Sequence, residues 1–470
     1  MIANTRNTER KRIVVLGGGF GGIYTAHHLE KEFWNDPRVE VTLVSRNNYF
    51  LMTPLLFEAG TGVLEPRHAV NPIRSMFKKA RFVEAHVERI DFDARKVFAR
   101  HSPDNYLYEL DYDQLVLALG GVTNLSLIPG SEHALPFKTL ADAIFLRNRI
   151  IDLFEQADVE EDTERRRKLL TFVIIGGGLV GVELMGELTE FIESLLRSYP
   201  RIPRNVPRFI LIQASDRIMP EMEEDLAAFA AKVLQQRGVE ILTRTRVQKI
   251  EPEKVFLPPA DTGVHTAAGG GGRELEIDAK SIMLCAGITA NPFVAKLPLE
   301  KGRNGRILVD GAMRSKSRPD VWALGDCASI PDKNGNPYPP LAQHALREAR
   351  VLAKNIAAVV RNEHQPGETP TLQPFEYQTL GMLASLGGYS GVGRVLQFKI
   401  RGVLAWWVWR TYYVMQMTRW ERRLRVILDW TVALLFRNDI VTLDLFGEEH
   451  PTEASREETI APEEHVAHIT

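Results

Sequence analysis

Two stretches of this chain repeat one pattern: an apolar run, a cluster of glycines, then residues suited to a helix. In RIVVLGGGFGGIYTAHHL, residues 12–29, Ile13 to Leu16 lead into Gly17, Gly19 and Gly22. In TFVIIGGGLVGVELMGEL, residues 171–188, Phe172 to Ile175 lead into Gly176, Gly178 and Gly181 at the same spacing. A G-x-G-x-x-G run between strand and helix opens a dinucleotide-binding βαβ unit. The first glycine permits the tight turn, the second lets backbone approach a pyrophosphate, and the third lets the helix pack on its strand. The phosphates then meet the positive end of the helix. One such match is compatible with an ordinary turn. Two predict two dinucleotide sites, and an enzyme that holds two dinucleotides usually passes electrons between them.

A length of 470 residues allows about three domains, and 44% hydrophobic with 25% charged is ordinary globular composition. The formal charge of −2 supplies no general basic field, so nucleic acid is not expected as a partner. The start, MIANTRNTERKR, has no apolar core of a secretory signal. No apolar run approaches the ~18 residues of a spanning helix. The chain is expected to stay where it is made, with its thiols reduced. Cys285 and Cys327 are far apart, which excludes a C-x-x-C redox centre and favours structural roles. His27, His28 and His344 do not form a metal-ligand spacing, and no metal is expected.

The expected fold is α/β, with two Rossmann-like domains, the second inserted in the first, followed by an amphipathic-helical region. The first unit, 12–130, continues through the strand VEVTLVS, Val39 to Ser45, and closes with DYDQLVLALGG. Ser45 stands where a ribose-binding acid is normally expected. A charged helical stretch leads into the second unit, 131–287, which contains a glycine-rich hairpin tip or linker, AAGGGGRE. RPDVWALGDCASI then supplies a strand at Val321 to Leu324 ending in Gly325 and Asp326. It resembles the completion of the first unit, so 288–365 is assigned to that unit. Residues 366–446 form the carboxyl-terminal region, and 447–470 a flexible acidic tail.

The span Phe398 to Asp439 holds five of the seven tryptophans, and eight Lys or Arg against three Asp or Glu. Trp and Tyr favour the membrane–water boundary because an apolar ring carries one hydrogen-bonding edge. Leu404, Trp407, Val408, Thr411, Tyr412 and Met415 share one helical face; Trp420, Leu424, Ile427, Thr431 and Leu434 share another. This predicts two helices lying in the lipid interface, with Arg419, Arg422, Arg423 and Arg425 at anionic headgroups. Removal of the residues after about Gln397 is expected to release the protein from anionic vesicles. A packed homodimer interface has the same composition and is expected to coexist with it.

The sequence resembles the type II NADH dehydrogenases, single-chain NADH:quinone oxidoreductases among the two-dinucleotide-domain flavoproteins. The resemblance spans nearly the whole chain. It rests on the first glycine motif with Phe20, NNYFLMTPLLFEAGTG, the second motif with Glu183, ALGDCA, and PPLAQHALREA. It implies FAD in the first site and NADH in the second, with NADPH as a further donor, and a membrane quinone as acceptor. It also implies a peripheral position on the cytoplasmic face of a bacterial inner membrane.

Carried over residue by residue, the resemblance places FAD against Gly17, Gly19, Phe20 and Gly22, then Ser45, Arg46, Thr53, Pro54 and Val87. Ala118, Gly120, Gly325 and Asp326 follow at strand ends, and Ala342, Gln343, His344 and Ala345 at a later helix. NADH falls to Gly176, Gly178, Leu179, Val180, Gly181 and Glu183, with Gln213, Ala286 and Gly287. Glu183, Gln343 and Arg347 are the expected catalytic groups, Glu183 beside the nicotinamide and the other two toward the quinone. Four departures stand out. Ser45 and Gln213 replace acids, and Arg347 replaces the second glutamine of the Ala-Gln-x-Ala-x-Gln pattern; Leu380 also stands where a basic residue is frequent. Loss of the acid at Gln213 removes repulsion of the 2′-phosphate of NADPH, and Arg217 is the nearby cation in sequence. The rival readings are a sulfide:quinone or ferredoxin-type reductase and a nucleotide-sensing interaction protein without turnover.

Overall fold

The computed structural model describes residues 10–258, 276–362, 370–379, 381–417, 419–436, 439–442 and 466–468. The first sheet is parallel throughout, in the order Val321–Ala323, Gln114–Leu117, Lys11–Leu16, Val39–Ser45, Arg81–Glu84. Its middle strands are unbroken aliphatic runs because a parallel sheet is covered on both faces, and Ile13, Val15 and Leu16 are completely buried. Helix α1 (Phe20–Glu32) returns from the first strand, and α2 (Leu56–Gly60) follows the second. Strands His86–Asp91, Lys96–Arg100 and Leu107–Asp111 form an antiparallel sheet beside them. Val466–His468 pair in parallel with its edge. The rest of the stretch expected as a tail, like the AAGGGGRE linker and Leu380, lies outside the described residues.

The chain leaves the first sheet after Leu117, and Gly121–Thr123 leads it into a second parallel sheet. There the order is Leu135–Pro136, Ser281–Leu284, Thr171–Ile175, Arg208–Ile212, Val239–Leu242. Around this sheet run α3 (Leu140–Val159), α4 (Thr163–Leu169), α5 (Leu179–Leu196) and α6 (Glu224–Gln236). Thr139 and Asp142 close a capping box on α3, which fixes where the helix starts. The return strand Ile288–Ala290 pairs antiparallel with Gly121–Thr123, so the two connections lie side by side. After α7 (Pro292–Lys296), Val321–Ala323 pairs with Leu115–Leu117 of the first sheet. That pairing makes the second nucleotide unit an insertion in the first. Helix α8 (Ala342–Asn362) then packs along α1.

Residues 381–401 form a sheet that the sequence reading does not anticipate: Gly381–Ser385, Gly391–Val395 and Phe398–Arg401 run antiparallel. Helices α9 (Gly402–Gln416) and α10 (Trp420–Leu435) follow, where two amphipathic helices are expected. The small sheet docks on the second unit. Lys399 Nζ lies 2.7 Å from Asp225 of α6, and Arg394 3.1 Å from Glu223. The helices dock on the first unit, where Trp409, Met417, Val426 and Trp430 share a core with Met52, Leu55, Leu64 and Ala69. Among the described residues no helix is long and apolar enough to cross a membrane.

Candidate active site

The first glycine loop has the geometry its sequence predicts. Gly17 has φ 117°, and a Cβ there would lie 2.1 Å from the Ala118 carbonyl oxygen. A Cβ at Gly22 would lie 1.8 Å from the oxygen of Gly17, so only glycine lets α1 close on its strand. At Gly19 a Cβ would meet nothing within 4 Å. No side chain caps α1, so its first amides are free to take an anion over that opening. Ser45 ends its strand with Oγ beside Gly18, and Phe20 packs edge-on against Phe50 at 4.9 Å. Arg46 is exposed, Thr53 and Pro54 are half-buried, and Val87 is buried in its strand. These features fit the adenosine and pyrophosphate of a flavin dinucleotide.

The far end of the same site forms at Gly325 and Asp326. Gly120 and Gly325 both take left-handed backbone, with φ 70° and 69°. Lys138, from the segment that leads into α3, donates to Asp326 Oδ2 at 3.3 Å. Glu348 of α8 accepts from the Gly325 amide at 2.8 Å, and burial pushes its carboxyl up to about 7. Neither Lys138 nor Glu348 is singled out by sequence, because each reaches the strand end from a distant element.

The start of α8 brings Gln343 and Arg347 together one turn apart. Arg347 donates to the Gln343 carbonyl at 2.8 Å and stacks its guanidinium 4.4 Å over the Tyr377 ring. Tyr377 Oη donates to Gln343 Oε1 at 3.4 Å. Ala342 and Ala345 are the small residues of this turn; His344 is turned inward. Its ring nitrogens lie 2.9 Å from the Pro339 carbonyl and 3.3 Å from Thr379 Oγ1, and burial lowers its pKa.

The second glycine loop repeats the first. Gly176 has φ 109° and abuts Ala286, where a Cβ would lie 2.7 Å from the amide nitrogen; a Cβ at Gly181 would lie 1.8 Å from the Gly176 oxygen. Leu179 and Val180 begin α5 at the mouth of the loop, and Gly287 is exposed with φ 71°. Exposed Glu221 places Oε1 3.1 Å from a Cβ built on Gly178, so this glycine, unlike Gly19, has a side chain in front of it. Gln213 turns its side-chain amide toward the loop. Its Oε1 accepts from the Gly177 amide at 2.8 Å, while its Nε2 donates to Ser215 Oγ at 2.6 Å. Arg217 does not serve as the expected cation for a 2′-phosphate. It folds back to donate to the carbonyls of Met219, Met222 and Pro220.

Glu183 is buried rather than displayed in the first turn of a helix. Its Oε1 accepts from the Ser385 amide at 2.9 Å and from Trp409 Nε1 at 3.2 Å, both from the carboxyl-terminal region. Burial, reinforced by Glu187 and Glu58, pushes its carboxyl up from 4.5 to about 8 despite these two donors. The folded chain therefore binds this proton more tightly than the unfolded chain does. The sign follows: the contribution is present below about 4.5 and is lost as pH rises toward about 8. Thermal unfolding of Glu183→Gln is expected to lose less stability across that window than wild type, and an unchanged slope would contradict the assignment.

Residues 11–349 match the family described as pyridine nucleotide-disulphide oxidoreductase, and 379–439 match the NDH2 C-terminal domain. The chain belongs to the type II NADH dehydrogenases. It is 31% identical to a probable NADH dehydrogenase of Dictyostelium discoideum, covering 92% of this chain and 91% of that one. It is 29% identical to the type II NADH:quinone oxidoreductase Ndh of Mycobacterium tuberculosis, over 91% and 89%. NDH2 of Plasmodium falciparum, solved in complex with NADH, superposes with a TM-score of 0.81 at 18% identity, over 92% of this chain and 100% of that one. This type II dehydrogenase thus carries both modules of its family on one chain.

Proposed function

We infer that this enzyme takes electrons from NADH and passes them through FAD to a quinone. The observation that carries the reading is the pair of strand–glycine–helix loops, each closing a helix on its strand through glycine, in two separate parallel sheets of a chain that also carries the NDH2 module. Bound FAD supplies the carrier that accepts a hydride and yields its two electrons. In this reading Gly17, Gly19 and Gly22 hold its pyrophosphate, and Asp326, steadied by Lys138, holds its sugar chain. Gly176, Gly178 and Gly181 seat the nicotinamide dinucleotide. Gln343 and Arg347 present an amide and a cation to the quinone oxygens. The sulfide:quinone alternative lacks support from the thiols. Cys327 is buried against the Leu117 and Leu324 carbonyls, and burial pushes Cys285 up to about 12. Supplying sulfide in place of NADH is expected to leave the quinone unreduced.

NADH is the preferred donor in this proposal, because Arg217 is committed to backbone carbonyls. Gln213 lacks the negative charge that would repel NADPH, so weaker NADPH use is expected. Gln213→Glu should lower kcat/KM for NADPH more than for NADH, by roughly 1–3 kcal/mol. Equal effects on the two donors would mean that Gln213 does not face the ribose.

The outer face of α9 and α10 supports docking on lipid. Trp407 and Trp420 are 56% and 71% exposed, and Leu404, Met415, Leu424, Ile427, Leu428 and Leu435 share that exposed character. Three of the four arginines expected at the headgroups are engaged by the protein itself, and Arg425 is exposed. Arg422 donates to the Arg67 carbonyl, Arg423 to the Met415 and Met417 carbonyls, and Arg419 pairs with Glu421. Apolar insertion therefore outweighs headgroup pairing in the proposal. Truncation after Gln397 is not a clean test, since it strips Trp409 and Trp430 from the core. Leu428→Glu combined with Val432→Glu should instead release the folded, FAD-loaded enzyme from anionic vesicles. Vesicle binding that survives both changes would leave self-association as the use of this face, and sedimentation would then show a dimer.

A further inference from the structure

Helix α8 presents two different faces, and a buried acid on the second ties it to the flavin end of the site. Gln343 and Arg347 lie one turn apart on the face toward Tyr377. Ala345 and Glu348, at i and i+3, share the face toward the strand end at Gly325. A Cβ built on Gly325 would lie 3.8 Å from that of Ala345, and the Gly325 amide donates to Glu348 Oε2 at 2.8 Å. Gly325 has φ 69°, a left-handed backbone that glycine adopts without strain, and the turn it makes aims Asp326. Holding the Gly325 amide therefore holds Asp326.

Glu348 is a costly residue to use for packing alone. It is 3% exposed, and its one hydrogen bond among the described residues is the one from Gly325. Burial raises its pKa, with Asp326 adding to the rise and the Gly325 amide and Arg306 opposing it. Beside the carboxyl, against Tyr338 and Leu341, lies a cavity of about 10 Å³, room for about one water. An apolar side chain of similar length would occupy this place without the desolvation that an acid suffers. What the acid adds is its one bond, because a carboxylate accepts from an amide about twice as strongly as a neutral group does.

We propose that Glu348 is a positioning residue for the second half of the reaction, setting the distance between the flavin end at Gly325 and Asp326 and the quinone-facing turn at Gln343 and Arg347. The proposal rests on the NADH-to-quinone reading. Glu348 acts through the Gly325 amide and through the helix that carries both quinone-facing groups, not on the reacting atoms. Without the bond, α8 is free to shift on the strand end, and a misplacement of about 1 Å costs roughly 100-fold in a step that depends on alignment. The NADH loop lies outside this link. It belongs to the other sheet, and the chain reaches it through the paired connections Gly121–Thr123 and Ile288–Ala290 rather than through α8. Disturbing Glu348 is therefore selective: transfer to the quinone slows, while transfer from NADH does not.

Anaerobic stopped-flow on the FAD-loaded full chain separates the two halves: NADH is mixed with the oxidised enzyme, and a soluble quinone with the reduced one. Glu348→Ala is expected to slow reoxidation by at least about 10-fold and to raise the KM for quinone, with bleaching by NADH within about threefold of wild type. Glu348→Gln, whose amide oxygen still accepts from Gly325, should restore most of the reoxidation rate. Glu348→Asp, one methylene too short to reach, should not. If Glu348→Ala does not retain FAD, Glu348→Gln against Glu348→Asp carries the test. Equal slowing of both halves, unchanged reoxidation in the FAD-loaded variants, or failure of Glu348→Gln to recover it would overturn the assignment. Reduced wild-type flavin that the quinone does not reoxidise would overturn the underlying function instead, and is read before any variant is compared.

Discussion

Gly181→Ala should purify as a yellow, FAD-containing protein that NADH reduces at least ~100-fold more slowly than wild type. The methyl group would lie 1.8 Å from the Gly176 carbonyl oxygen, so α5 must lift from its strand and take its free amides with it. The same change at Gly22 meets the Gly17 oxygen at the same distance, but in the other sheet. Gly22→Ala is therefore expected to lose FAD, while Gly181→Ala keeps it. The ratio of flavin to protein absorbance and a stopped-flow record of flavin bleaching separate the two. A Gly181→Ala enzyme reduced at the wild-type rate would refute the assignment of NADH to the second loop.

Arg410→Met carries the largest expected cost to stability. It keeps a long apolar stem between Trp406 and Trp430 but leaves Glu58 without its buried cation. Breaking one side of a buried pair typically costs about 3–5 kcal/mol. Denaturant unfolding should show a loss of that order, and Glu58→Gln in the same background should restore part of it. A loss under about 1 kcal/mol would mean that the buried acids around Arg410 are already neutral through their own protons.

The nucleotide-binding half of the molecule was legible in the sequence because its constraints are local. A buried parallel strand must be aliphatic along its length, and a loop that brings helix and backbone onto a phosphate must be glycine at fixed offsets. The insertion was legible for a related reason, since Val321 to Leu324 reads as a strand ending in Gly325 with no other unit to complete. The small sheet over 381–401 was not. Its strands are short and interrupted by Gly391 and Gly393, which blurs the alternation that marks a strand. The buried acids around Arg410 were hidden by distance, because Glu58 and Arg410 are 352 residues apart. Arg217 and Arg423 show a further limit: charge is visible in sequence, but whether a guanidinium turns to a ligand or to nearby carbonyls is decided by local backbone.

One anaerobic titration tests the central claim most directly. NADH is added stepwise to the purified, FAD-loaded enzyme while its visible spectrum is followed, and a soluble quinone is then added without oxygen. The account predicts that the flavin bleaches with about one NADH per FAD and that the quinone restores its colour. Bound flavin that NADH does not bleach, or bleached flavin that quinone leaves reduced, would contradict it.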